Sequence, residues 1–248
     1  MKTIVLGDIH GRDCWKEIIK KEEPGRVVFL GDYVSSHERD MTSQKQISNL
    51  IEILDWKEEM DLTGECEVIL LRGNHDVQMM QRDSFISGYD PVVGDWFGKS
   101  DNRERFMKNT RWVWEDENGI IYSHAGISET WMKRCEFESL DEINECNQLI
   151  YFQFTPCKMS DYCGDSATQP LTWIRPSSLL SYGLRDRTFV VGHTAYKFGI
   201  ADMYEKTREL FPQVFENIKD RNVHIWLCDA LPRQYLIVND GKFEVASL

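Results

Sequence analysis

Five times along this chain a short apolar run, rich in β-branched residues, stops at a glycine-containing loop that carries a metal-binding type of residue. Residues 2–7 stop at Gly7-Asp8, and Arg26–Leu30 stops at Gly31-Asp32. Glu67–Leu71 stops at Arg72-Gly73-Asn74-His75, Ile120–Tyr122 at Ser123-His124-Ala125-Gly126, and Thr188–Val191 at Gly192-His193-Thr194. Runs this short, bounded by turn residues and apolar throughout, read as strands buried on both faces. Between them lie stretches of helical periodicity over 13–21 and 42–60, where Ile47, Leu50, Ile51 and Leu54 share a face behind a Thr42 or Ser43 cap. Further helices are predicted near 76–82, 101–109, 128–134 and 138–150. Strands alternating with helices predict an α/β fold. Residues 111–115 and 119–123 predict a hairpin through Asn118-Gly119, and 223–228, 233–239 and 242–246 predict terminal strands. Residues 83–100 and 151–170 read as loops. No internal repeat or linker divides residues 1–248, so a single domain is expected.

Charge narrows the partners. Asp and Glu number 41 against 29 Lys and Arg, a net charge of −12. That balance argues against a general duplex nucleic-acid surface and against an anionic membrane surface, both of which need clustered cations. It is compatible with a cation site built from carboxylates. Asp8 cuts the first apolar run before a secretory core can form, and no run approaches the roughly 18 apolar residues of a membrane span. The seven cysteines are scattered, with no CxxC pair, and read as reduced thiols of a cytoplasmic protein.

Strand carboxyl ends of an open α/β sheet converge on one crevice. Asp8, His10, Asp32, Asn74, His124 and His193 are therefore expected to meet. Asp8 and His10, two apart on an extended loop, point the same way. Oxygen and imidazole donors without a thiolate suit Mn, Fe, Zn or Mg. The set has the logic of a two-metal centre: Asp32 bridges two divalent ions, a water is acidified to hydroxide and attacks phosphorus in line, and His75 assists the leaving group.

In these motifs the chain resembles the calcineurin-like metallophosphoesterases, and most closely their serine/threonine protein phosphatase branch with its bacterial and phage relatives. The carrying residues are Gly7-Asp8-Ile9-His10-Gly11, Gly31-Asp32-Tyr33-Val34, Gly73-Asn74-His75-Asp76, Ser123-His124-Ala125-Gly126 and Gly192-His193-Thr194. The resemblance implies an αββα sandwich with a dinuclear metal site at the strand C-terminal ends. Asp8, His10 and Asp32 would hold one ion; Asp32, Asn74, His124 and His193 would hold the other; His75 would be the general acid. Manganese is the ion that the resemblance favours. His193-Thr194-Ala195 lacks a second histidine, as that branch does.

One motif departs from the branch, which typically reads Gly-Asp-Tyr-Val-Asp-Arg-Gly. Here Ser35 and Ser36 stand where that pattern has the Asp that supports the catalytic histidine and the Arg that grips phosphate. His75 is therefore expected to lack a carboxylate partner, and the phosphate grip passes to Arg39, Arg12 or Arg72, or to Arg175 in Trp173-Ile174-Arg175-Pro176. The expected activity is hydrolysis of phosphate monoesters, with phosphoserine or phosphothreonine proteins as substrates. A small phosphate compound, such as a dinucleoside polyphosphate or a phosphodiester, is the alternative. A metal-binding scaffold with lost chemistry is a third reading, against which all seven site residues being intact weighs. His224 reads as a structural histidine, Asp229 as a turn residue with support of the site from behind its ligands as the alternative, and the tryptophans as packing.

Overall fold

The computed structural model describes residues 1–36, 38, 40–84, 87–158 and 164–248. Two sheets form. In the first, β1 (Lys2–Leu6), β2 (Arg26–Phe29), β3 (Glu67–Leu71) and β4 (Thr110–Arg111) run parallel and adjacent. The chain end adds β10 (Gln234–Asn239) antiparallel to β1 and β11 (Lys242–Ser247) antiparallel to β10. The second sheet pairs β5 (Val113–Glu115) antiparallel with β6 (Ile120–Ser123) and continues parallel through β7 (Thr188–Val191) and β9 (His224–Leu227). Its edge is β8 (Ala201–Asp202), antiparallel to β9.

The sheets stack on each other and helices cover their outer faces. The strand pleat explains the uninterrupted apolar runs. Val5, Val28, Leu30, Ile69 and Leu71 face the second sheet, where they meet Ile120, Tyr122 and Val190. Their neighbours Ile4, Leu6, Val27 and Phe29 point the other way, into a cluster with Ile18 of α1 (Trp15–Glu22) and Ile47, Leu50, Ile53 and Leu54 of α2 (Ser43–Thr63). On the far side Phe189, Val191 and Ile225 join Ile127 and Leu179 in the same cluster. Each such aliphatic side chain contributes roughly 1.5–3 kcal/mol of burial, so buried polar residues are few in these strands and sit near their ends, as Thr3, Arg26 and Ser123 do. The layers are the expected αββα.

Helix α2 is the longest, and its ends follow the capping rules. Thr42 Oγ1 accepts from the Lys45 amide at 3.2 Å, and Gly64 closes the other end in the left-handed region at φ 70°. The remaining helices are α3 (Asn74–Gln81), α4 (Pro91–Phe97), α5 (Ser100–Asn109), α6 (Glu129–Arg134), α7 (Leu140–Glu145), α8 (Pro176–Tyr182), α9 (Met203–Leu210) and α10 (Pro212–Ile218).

The structure departs from the sequence reading in its short helices. Residues 83–100 are not a plain loop, because α4 lies within them. Of the four helices that periodicity missed, α4, α8 and α10 each open on a proline at the first helical position. Proline there is pre-set for the helix and loses no hydrogen bond, but seven residues are too few to show a period. The predicted helix over 138–150 divides into α7 and a 3₁₀ turn at Leu149–Phe152. The described part of the 151–170 segment is zipped by Gln169, which is fully buried and bonds the Thr155 amide and carbonyl at 3.0 and 2.7 Å. Asp161 and Cys163 lie outside the described residues. No described helix is long and apolar enough to cross a membrane.

Candidate active site

The carboxyl ends of β1, β2, β3, β6 and β7 bring Asp8, Asp32, Asn74, His124 and His193 together, with His10 beside them. Asp8 Oδ1 accepts the His193 amide at 2.9 Å, and Asp32 Oδ1 accepts the His75 amide at 2.9 Å. Asn74 Oδ1 lies 2.8 Å from His124 Nε2 and 2.8 Å from His193 Nδ1. Asp32 Oδ2 is 3.4 Å from the same His124 nitrogen. One ligand atom each from Asp8, Asp32 and His124 all fall within 4.8 Å of one another. His10 Nε2 lies 3.8 Å from Asp8 Oδ2.

Carbonyl groups set the orientation of two histidines. His124 Nδ1 donates to Leu30 O at 2.8 Å and His10 Nδ1 to Val34 O at 3.0 Å. Each ring then presents Nε2 to the site, the arrangement that fixes a ligand's tautomer. In a neutral His124, Nε2 carries a lone pair, yet it faces the oxygens of Asn74 and Asp32. Acceptors gathered like this need a positive charge between them, either a proton or a cation. The donor set therefore fits divalent metal.

The electrostatics point the same way. Burial works against a charged His124, but Asp32 outweighs it and raises the imidazole to about 10. Burial raises Asp8 to about 6, with the Asp32 charge adding to it and the nearby His124 offsetting part. Burial would also raise Asp32, but His124 and His75 hold it below the ordinary carboxylate range. Asp229, after β9, is pushed up to about 7 by burial and then by Asp8. His193 is pushed well down by burial and by His124. These carboxylates are crowded and under-neutralised, which cations would relieve.

Backbone strain marks the same positions. His10, Asp32 and His193 have φ of 47°, 50° and 58°, a region that costs non-glycine residues energy and clusters at functional sites. Asp76 braces the Asp32 loop: its carboxylate accepts the amides of Asp32, Tyr33 and Gly73 at 3.0, 3.0 and 2.8 Å.

His75 opens α3, and its ring lies 5.8 Å from that of His10. The expectation that it lacks support is corrected in part. No carboxylate hydrogen-bonds its ring among the described residues, but Gln78, one helical turn on, places Oε1 3.0 Å from His75 Nδ1. The Gln78 amide nitrogen donates to Asp83 O at 3.0 Å, which turns the oxygen toward His75. The i, i+3 spacing on one helix was the available signal. Ser35 binds Gly88 O at 2.9 Å and so secures a neighbouring loop.

Among the candidate arginines, Arg175 reaches the site. Its Nη1 donates to His193 O at 3.1 Å and Thr194 Oγ1 at 3.0 Å. Arg12 donates to Asp8 O at 3.3 Å and pairs with Glu38 at 2.7 Å. Arg72 is not a phosphate-gripping residue. It is buried, bonded to Thr110 and Met107, and lies over the Trp112 ring. Arg39 and His37 lie outside the described residues. Two more side chains border the site. Trp173 packs its ring edge-on at 5.5 Å from His193. Asp229 stands beside Asp8 rather than only making a turn, because the Val191–Leu227 register sets the loops after β7 and β9 side by side. His224 stacks on Tyr204 at 4.0 Å, as a structural histidine does.

Comparisons with known proteins agree with this fold. The calcineurin-like phosphoesterase profile matches residues 1–197. No curated protein matches in sequence. Among solved structures, a cold-active protein-tyrosine phosphatase of a psychrophilic Shewanella species is similar at 16% identity, with a TM-score of 0.63, covering 99% of this chain and 77% of that one. A second structure described as a cold-active protein-tyrosine phosphatase gives 16% and 0.57, covering 98% and 78%. A point mutant described likewise gives 16% and 0.59, covering 99% and 77%.

Proposed function

The chain belongs to the calcineurin-like phosphoesterase family and is a metal-dependent hydrolase of phosphoesters; from that premise we propose that it cleaves phosphate monoesters, acting on phosphorylated proteins. The observation that carries the reading is Asn74 Oδ1 held between two imidazole nitrogens at 2.8 Å each, with Asp32 against one of them. Asp8, His10 and Asp32 would hold one divalent ion, and Asp32, Asn74, His124 and His193 a second, with manganese the working choice. Bound there, the ions neutralise phosphoryl oxygens and lower the pKa of a water. The chain's own residues do the rest. His75 would act as the imidazolium, handing its Nε2 proton to the leaving oxygen and remaining as the neutral ring whose Nδ1–H donates to Gln78 Oε1. Arg175 steadies the His193 loop and offers its guanidinium to a non-bridging oxygen. A core cluster drawing on both sheets supports reading residues 1–248 as one catalytic domain. The six described cysteines are free, which suits a cytoplasmic enzyme.

The test sets p-nitrophenyl phosphate beside bis-p-nitrophenyl phosphate, with added Mn²⁺ and then chelator. Monoester turnover that needs the ion and returns with it supports the proposal. A preference for the diester overturns it in favour of a phosphodiesterase. Phosphopeptides bearing serine, threonine and tyrosine phosphate then define the acceptor. Tyrosine is included because the solved structures above are described as tyrosine phosphatases.

Two variants separate the supporting roles. Arg175→Ala raises KM about tenfold, since an Arg–phosphate contact is among the stronger hydrogen bonds. Gln78→Leu lowers kcat about tenfold, and by more for phenyl phosphate than for p-nitrophenyl phosphate, because a poor leaving group depends more on the proton from His75. An unchanged KM removes Arg175 from phosphate binding. Equal losses on both esters would reduce Gln78 to a packing role.

A further inference from the structure

A cavity of about 640 Å³ borders the site and counts His10 and Asp229 among its lining residues. Its walls carry Arg12, Lys197 and Arg233, the ring residues Tyr196 and Phe198, and Gln234. Three cations gathered on one cavity stand out on a chain of net charge −12. Arg12 is paired with Glu38, whereas Lys197 and Arg233 form no ion pair among the described residues. Asp229 is the one acidic residue among the described residues of its walls.

The cavity is built on two closed turns. Each follows a strand that leads into the site. After β7, the Gly199 amide donates to Tyr196 O at 3.0 Å, which puts Lys197 and Phe198 at the tip. After β9, the Arg233 amide donates to Ala230 O at 3.0 Å. Gln234 ties the two together, because its Oε1 accepts the Ile200 amide at 2.8 Å. Phe198 is 74% exposed, yet it is held edge-on to Tyr196 at 5.7 Å with the Lys197 ammonium 5.4 Å from its ring centre. An exposed aromatic and two cations with no anionic partner among the described residues, all on a braced frame, are placed for a ligand whose ordering cost is already met.

We propose that this cavity receives the acidic flank of a phosphorylated peptide, with the carboxylates of residues next to the phosphorylated one meeting Lys197 and Arg233 while the peptide's apolar groups lie on Phe198 and Tyr196. The inference rests on the monoesterase reading above and names its substrate class. On a chain of net charge −12 this cavity offers acidic groups a local cationic surface, and its charges act within about 8–10 Å at physiological salt.

The experiment compares one phosphopeptide in two forms, flanked by glutamates or by alanines. The expected result is an about three- to tenfold higher kcat/KM for the acidic form, the size that two partly exposed ion pairs provide. The ratio falls to about one in the Lys197→Ala/Arg233→Ala double variant and shrinks as salt is raised. A ratio of one in the parent enzyme, or a ratio unchanged in the double variant, overturns the proposal. Fluorescence anisotropy of the labelled acidic peptide gives the same comparison without turnover. Selective, cavity-dependent binding without hydrolysis sinks the monoesterase reading and keeps the cavity; hydrolysis without flank selectivity does the reverse.

Discussion

Asp32→Asn is expected to lower metal-dependent phosphate release by about a thousandfold or more, equivalent to about 4 kcal/mol of transition-state stabilisation. Asp32 Oδ2 lies 3.4 Å from His124 Nε2 and its Oδ1 accepts the His75 amide, so the one side chain touches both halves of the site. Asparagine has the same shape and can still accept the His75 amide through its oxygen. What it removes is the charge that holds His124 high and that would attract two ions at once. The loop itself should persist, because Asp76 holds the backbone amides of Asp32 and Tyr33 independently of the Asp32 side chain. The variant is therefore expected to melt within a few degrees of the parent while metal content, measured by elemental analysis after dialysis, falls well below it. An Asp32→Asn variant that keeps its metal and turns over within tenfold of the parent would refute a bridging role for Asp32.

The site was legible in the sequence because its chemistry sits at strand ends. Asp8, Asp32, Asn74 and His193 each follow a short apolar run and a glycine, and His124 follows such a run and a serine; these local signals survive without knowledge of the tertiary fold. Gln78 was less legible: the resemblance places a carboxylate at the position of Ser35, whereas the side chain that meets His75 Nδ1 is the amide three residues along α3. Asp229 and Trp173 reach the site only through the pairing of β9 with β7 and the fold of residues 164–175 against the ends of β6 and β7. The Leu171 carbonyl, for instance, meets the Ala125 amide at 2.7 Å. Such long-range register leaves no mark in a local window. The insertion of β10 antiparallel beside β1 is of the same kind. The short helices failed for the opposite reason. Their signal was local, an Asp90-Pro91 cap and proline starts at Pro176 and Pro212, but a search for periodicity passes over it.

The glycines before Asp8, Asp32, Asn74 and His193 carry more of the design than turn chemistry alone requires, and Gly192→Ala should show how much. A methyl group at Gly192 would sit 2.1 Å from Asp8 Oδ1 and 3.5 Å from Leu30 Cβ. Asp8 has nowhere to retreat: it is 2% exposed and its Oδ1 accepts the His193 amide at 2.9 Å. Either the carboxylate leaves, breaking that bond, or the His193 loop shifts away from Asn74. Overpacking and a buried, unpaired amide each cost about 1–3 kcal/mol. Turnover should fall by about a hundredfold or more, since a displacement of about 1 Å in a catalytic constellation has that effect. The melting temperature should fall with it, by several degrees per kcal/mol. Gly64→Ala is the matched control. Gly64 sits at φ 70° with nothing within 4 Å of the added methyl, so it carries only the backbone cost of about 1 kcal/mol and lies at the far end of α2 from the site. A lowered melting temperature in both variants, with turnover lost in Gly192→Ala and kept in Gly64→Ala, would show that Gly192 serves the site's geometry. If Gly192→Ala were as active as Gly64→Ala, the contact between the two sheets at Asp8 and His193 would not be what holds the ligands in place.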